Sequence, residues 1–316
     1  MAKWTVADIP SQAGRLAVVT GTGGLGFETA LELARKGGDV VLAGRNPAKG
    51  AESVARIEAA VAGPKIRFAG LDLASLASVD AFSAAMLTEG RPIDLLVNNA
   101  GVMAPPNRQI TVDGFELQFG TNYLGHYALT GRLLPLLLRG QAPRVVNLSS
   151  IAHRNGAIRF EDLQWQTGYK AWPAYSQSKL AMLMFALELQ RRSDAAGWGL
   201  ISNAAHPGFA RTELIANGPG AGSPMAMLSR LFMPLVSQDA AGGALPQLYA
   251  ATAPGAKGGA YYGPDWFMEL KGAPKVAEIK PQALDRAAAA RLWEVSAELT
   301  GVSFAPATLA PAGAGA

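Results

Sequence analysis

Cysteine is absent from the 316 residues and histidine occurs three times. The first absence excludes disulfides, thiolate nucleophiles and sulfur-ligated zinc. The histidines, His126, His153 and His206, show no metal-ligand spacing, so no metal is expected. No run of about 18 uncharged apolar residues occurs, and the opening MAKWTVADIPSQAGR lacks the apolar stretch of a signal peptide. The expectation is a cytoplasmic protein with no membrane partner. Like charges never cluster in blocks of five, and 28 Lys+Arg against 24 Asp+Glu leave a net charge of +4. That is too little for a nucleic-acid partner.

What the chain does have is length for one large α/β domain, expected over 1–303, followed by a flexible tail over 304–316 that reads FAPATLAPAGAGA. Short apolar runs at 16–20, 40–43, 66–69, 93–97 and 144–148 read as strands covered on both faces. Amphipathic stretches separate them, and this alternation predicts a doubly wound Rossmann fold with a central parallel sheet flanked by helices on both faces. Helices are predicted at 24–36, from the Asn46-Pro47 start signal, at 174–194 and at 281–300, with a sixth strand at 199–204. The final helix should bury Leu284, Ala288, Leu292 and Val295 on one face.

In VVTGTGGLGFETA, Gly21, Gly23 and Gly26 spell G-x-G-x-x-G between a strand and a helix. Such a turn lets the backbone approach a pyrophosphate, which the helix N-terminus attracts, so Gly21, Thr22, Gly23, Gly24, Leu25 and Gly26 are assigned to a dinucleotide. About twenty residues on, the group that reads the adenosine ribose is Arg45 rather than a carboxylate. Its guanidinium suits a 2′-phosphate, so NADP(H) is favoured over NAD(H).

Tyr175 and Lys179 stand four residues apart on a predicted helix and therefore on one face. A nearby ammonium favours the phenolate and makes proton exchange feasible. Ser150 ends the fifth strand at the carboxyl edge of the sheet, where its hydroxyl could anchor a substrate oxygen. A serine hydrolase is not expected, because Leu148-Ser149-Ser150-Ile151-Ala152 lacks the G-x-S-x-G elbow.

In this order the residues resemble the short-chain dehydrogenase/reductase family over about 15–301: the Thr20–Gly26 turn, Asp72 in Leu-Asp-Leu, Asn98-Asn99-Ala100-Gly101, Asn122, Ser150, the Tyr175/Lys179 pair, and Pro207-Gly208 before Thr212. The resemblance implies Tyr175 as general acid in reduction, Lys179 as ribose ligand and electrostatic partner, Ser150 as carbonyl anchor, and Asn122 as the holder of a relay water. It implies further cofactor contacts from Asp72, Leu73, Asn98, Ala100, Gly101, Pro207, Gly208 and Thr212. Two departures stand out. The glycine turn is one residue shorter than the family's usual T-G-x-x-x-G-x-G, and Ser150 lies 25 positions before Tyr175. The longer separation resembles the retinol-dehydrogenase-like branch, which includes broad carbonyl reductases, and family members often pair through the helix bearing the tyrosine, implying a homodimer.

The glycine-rich 217–224 stretch and the apolar spacing of Met225, Leu228, Phe232 and Leu235 suggest a substrate lid over about 212–238. With His153 and Trp172 near the catalytic residues, Met225 and Phe232 are assigned to a pocket for a hydrophobic ketone or aldehyde and its alcohol. The alternative is a non-catalytic NADP-binding redox sensor or regulatory protein of the same fold. The intact Ser150, Tyr175 and Lys179 weigh against it.

Overall fold

The computed structural model describes residues 3–211 and 237–304. Thr212, Met225, Phe232, nearly all of the expected lid and the tail beyond Phe304 lie outside the described residues. Eight strands form one sheet: β1 (Leu16–Thr20), β2 (Asp39–Gly44), β3 (Lys65–Gly70), β4 (Leu95–Asn98), β5 (Arg144–Leu148), β6 (Ile201–Ala205), β7 (Tyr261–Trp266) and β8 (Lys271–Val276). Their spatial order is β3-β2-β1-β4-β5-β6-β7-β8. The first seven are parallel, and β8 runs antiparallel to β7.

Alternate residues of each inner strand enter opposite cores, as the two-residue pleat requires. Val18, Val41, Leu96 and Val145 face a core shared with α3 (Leu76–Glu89), α4 (Gly125–Leu137), α5 (Ala171–Ala196) and α7 (Arg286–Thr300). Val19, Leu42, Val97 and Val146 face the other, shared with α1 (Gly24–Arg35), α2 (Pro47–Ala60) and α6 (Ala240–Thr252). Strands buried on both faces are why the apolar runs were readable without alternation. On the first face, Tyr127, Phe185, Trp293 and Phe304 pack ring against ring with centroids 4.4–6.0 Å apart, which joins α4, α5 and α7 into one layer.

The order reverses between β1 and β4. Chain segments leaving those neighbours diverge to opposite sides, opening the crevice in which doubly wound sheets bind ligands. Among the described residues no helix is long and apolar enough to cross a membrane.

Three elements went unpredicted. Helix α6 is alanine- and glycine-rich with Pro246 inside it, and β7 and β8 carry Pro264 and Pro274. Proline within a run argues against a strand unless the strand lies at a sheet edge, as β8 does, or the proline falls outside the pairing, as Pro264 does beyond the two β7 residues, Tyr261 and Tyr262, that pair with β6. The final helix also needs correction. Residues Pro281–Ala283 form a 3-10 turn, and Asp285 caps a new helix by accepting from the Ala288 amide at 2.9 Å. Leu284 lies ahead of that cap and is 53% exposed, not part of the buried face with Leu292.

Candidate active site

At the crevice, Thr20 ends β1 and the chain turns through Gly21 (φ +94°) and Gly24 (φ +50°), which a side chain would strain. The turn is tight: a Cβ on Gly26 would lie 2.1 Å from the Gly21 carbonyl oxygen. Helix α1 starts at Gly24 with Gly23 as N-cap and no side-chain cap, so its first amides face outward as donors for an anion. Thr20 Oγ1 accepts from the Asn99 and Ala100 amides at 2.9 and 3.0 Å, and Asn99 Nδ2 donates to the Thr20 carbonyl at 2.7 Å. These bonds stitch the loops after β1 and β4 across the crevice. Asn99 was not among the predicted site residues, although it lies within the Asn98–Gly101 motif.

Ser53 Oγ donates to the Thr22 carbonyl at 2.7 Å and ties α2 to the glycine turn. Arg45 follows β2 and is exposed, free to meet a ligand group there. Asp72 is half-buried and its Oδ1 accepts from the Ala74 amide at 3.0 Å, an Asx turn ahead of α3.

Burial limits three expected contacts to the main chain. Leu25 and Leu73 turn their side chains into the two cores. Asn98 is fully buried, and its Nδ2 donates to Thr130 Oγ1 and to Asn147 Oδ1 on the neighbouring strand at 3.0 and 2.9 Å. Only main-chain atoms of these residues could touch a dinucleotide.

The residues expected to carry catalysis converge at the carboxyl ends of β4 and β5. Ser150 leaves β5 and caps a 3-10 turn, Ile151–Asn155, accepting from the Ala152 amide at 3.2 Å. Its hydroxyl also lies beside the phenol of Tyr175. Tyr175 is buried on α5, which pushes its pKa up to about 12, while the Ser150 hydroxyl opposes that shift. Lys179, one turn on, places Nζ 5.8 Å from the Tyr175 ring centroid and donates to the Leu148 carbonyl at 3.0 Å. Burial lowers its pKa to about 8, because desolvation disfavours the charged form. One carbonyl uses one of three ammonium donors, so others remain for a ligand.

Asn122 lies in a π-helical turn, Phe119–Leu124, leading into α4. Its Oδ1 accepts from the Val102 amide at 2.7 Å, and its Nδ2 donates to the Val102 carbonyl and to Ser178 Oγ at 3.0 and 2.9 Å. Both ends of the amide are engaged, so any water it orients would rest on its main-chain carbonyl. Gly101 leaves the space beside it: a Cβ there would stand 3.0 Å from Asn122 Oδ1 and 3.5 Å from Lys179 Nζ.

Of the expected substrate residues, Trp172 is 53% exposed on the first turn of α5 and meets Tyr175 edge to face at 5.9 Å. His153 does not edge a pocket. It is fully buried, with Nδ1 2.7 Å from the Ser150 carbonyl, and therefore braces Ser150 from behind.

Glu269, which the sequence reading missed, makes a second brace. Its Oε2 accepts from Arg154 Nη2 at 2.6 Å and faces His206 Nε2 at 3.2 Å, while the Gly208 amide donates to His206 Nδ1 at 3.2 Å. The carboxylate is held at a pKa of about 2 against its burial by His206, the Glu278 amide and Arg154. It links the turn after Ser150 to the Pro207-Gly208 turn, and nothing in the segment Phe267-Met268-Glu269-Leu270 signals a partner 115 positions away.

The sequence model of the short chain dehydrogenase family matches residues 15–219. Retinol dehydrogenase 13 of Mus musculus is 42% identical over 305 residues, 94% of this chain and 87% of the relative. Polyprenol dehydrogenase of Mus musculus is 41% identical over 298 residues, 93% and 86% of the two chains. A crystal structure of an uncharacterized protein from Mycobacterium paratuberculosis superposes with a TM-score of 0.80 at 40% identity, covering 96% of this chain and all of that one. A structure described as the Pseudomonas aeruginosa RhlG/NADP active-site complex superposes with a TM-score of 0.63 at 25% identity, covering 79% and 94%.

Proposed function

Because the chain belongs to the short-chain dehydrogenase family, in its retinol-dehydrogenase-like branch, we propose that it is an NADP(H)-dependent oxidoreductase that interconverts a hydrophobic ketone or aldehyde and its alcohol. The observation that carries the reading is the convergence of Ser150, Tyr175 and Lys179: a phenol beside a serine hydroxyl, with a buried ammonium one helical turn away.

The residues fit a nicotinamide dinucleotide. The uncapped start of α1 and its tight glycine turn suit the pyrophosphate, and the donors left on Lys179 suit a ribose hydroxyl. When bound, the dinucleotide supplies or accepts the hydride. The chain's own part is proton handling and orientation. Ser150 donates a hydrogen bond to the substrate oxygen, which stabilises negative charge as it develops there. At neutral pH Tyr175 is protonated, given its elevated pKa, so in reduction its O–H gives its proton to that same oxygen. In oxidation the direction reverses, and the phenolate accepts the proton of the alcohol.

The NADP preference rests on Arg45, exposed one residue past β2 where an NAD-selective site would carry a carboxylate, and is in keeping with the NADP-bound structural relative. The hydrophobic substrate rests on the exposed Trp172 beside Tyr175 and on relatives named for retinol and polyprenol. Arg45→Ala removes the charge-assisted bonds to a 2′-phosphate and is expected to raise the KM for NADPH about 10- to 100-fold with little change for NADH. Initial rates with each cofactor check this. Equal effects on both cofactors would remove Arg45 from cofactor choice, and tight NADPH binding without turnover of any carbonyl would favour the sensor reading.

A further inference from the structure

His126 lies on the first turn of α4, fully buried, between the glycine turn and Asn122. Its Nε2 is 2.9 Å from Thr20 Oγ1 and its Nδ1 is 2.8 Å from the Asn122 carbonyl oxygen. We propose that His126 is a positioning residue for the reaction described above, a neutral imidazole in one fixed tautomer that sets the Asn122 carbonyl against the strand end carrying the glycine turn. The inference rests on the proposed oxidoreductase reading for its kinetic consequence, while its structural content stands on hydrogen-bond valence.

A carbonyl oxygen can only accept, so Nδ1 must carry the hydrogen. At the other end, Thr20 Oγ1 already accepts from the Asn99 and Ala100 amides, which fill its two lone pairs. Its own hydrogen has two acceptors in reach, His126 Nε2 at 2.9 Å and the Val97 carbonyl at 3.4 Å, and the imidazole is much the nearer. Both ends therefore demand the same form, Nδ1–H with Nε2 as acceptor. An imidazolium would aim a second N–H at an oxygen with no lone pair left.

The environment agrees. Burial, and the Lys179 ammonium on the far side of Asn122, lower the His126 pKa to about 4. The bond also reaches the catalytic residues. Asn122 holds Val102 and Ser178 through its side chain, and Ser178 directly precedes Lys179. A tilt of the Asn122 peptide would thus be transmitted to the helix turn that carries the ammonium, and it would move the carbonyl available to a relay water.

Two substitutions separate the two bonds. His126→Asn places an amide nitrogen near Nδ1 and keeps a donor for the Asn122 carbonyl, whereas His126→Gln reaches toward Thr20 and gives that donor up. The expected result is a kcat loss of about tenfold for His126→Gln, with the NADPH dissociation constant within about threefold of wild type. His126→Asn should recover most of that kcat. Losses of equal size in the two variants, or wild-type kcat in His126→Gln, would overturn the proposal.

A readout independent of turnover is the 15N spectrum of the imidazoles in the intact protein, with the His126 signals assigned by their loss in His126→Gln. The prediction is the Nδ1–H tautomer with no titration between pH 5 and 8. An Nε2–H tautomer, or a ring that titrates in that range, refutes the positioning role. Failure of the wild type to reduce any carbonyl refutes the oxidoreductase reading instead.

Discussion

Tyr175→Phe is expected to lower kcat for carbonyl reduction by about 10²- to 10⁴-fold, the range that general acid–base catalysis supplies, while NADPH binds within about threefold of its wild-type affinity. Phenylalanine keeps the ring, its burial and its edge-to-face contact with Trp172, so the fold has little reason to respond. What is lost is the O–H that delivers the proton, beside the Ser150 hydroxyl. Because burial pushes the Tyr175 pKa up to about 12, the direction of pH dependence is also fixed. Reduction uses the protonated phenol and should decline as pH rises, whereas alcohol oxidation uses the phenolate and should accelerate. Equilibrium titration of NADPH fluorescence beside steady-state rates separates binding from chemistry. Retention of more than a tenth of wild-type kcat would remove Tyr175 from proton transfer.

Lys179→Met should act on activity and stability with opposite signs. Methionine matches the length of the side chain but removes the ammonium, which has donors free for a ribose hydroxyl. A loss of about 10²-fold in kcat/KM is expected from bonds of this charged type. Stability should move the other way. The folded-state pKa is depressed from 10.5 to about 8, so between those values the unfolded chain binds more protons and stability rises with pH. Below pH 8 the full cost of the buried charge is present. A shift of this size corresponds to up to about 3 kcal/mol, which Lys179→Met should recover in part at pH 7. Denaturant midpoints at pH 7 and pH 10 check this: the variant should exceed wild type at pH 7 by more than at pH 10. A variant that is less stable at both would mean that the Leu148 bond outweighs desolvation.

Much of this was legible in the chain because its signals are local. Inner strands buried on both faces leave unbroken apolar runs, and β1 and β5 fall at the bounds those runs mark. Glycine spacing reports a tight turn directly, and a Tyr and a Lys four apart on a helix must share a face. What was not legible depends on partners far along the chain. Asn98 reads as a ligand residue by its place in a motif, yet it pairs in register with Asn147 on β5, so its amide nitrogen is spent inside the sheet. His153 is near Ser150 in sequence, but it is fully buried, and the ring it meets edge to face belongs to Tyr261, 108 positions on. Glu269 acquires its role through Arg154 and His206, both remote in sequence. The antiparallel edge of β7 and β8 hides for a different reason. An edge strand such as β8 tolerates the proline and lysine that inner strands exclude, and Pro264 of β7 lies beyond its pairing with β6, so the composition of both resembles a loop.

The most direct test of the account is the rate of NADPH and NADH oxidation by the full-length protein against matched carbonyls, bulky aromatic and isoprenoid aldehydes and ketones on one side and small hydrophilic ones on the other. The account predicts turnover with NADPH in preference to NADH, with kcat/KM highest for the bulky apolar carbonyls. Turnover confined to small hydrophilic carbonyls, or a preference for NADH, would contradict it.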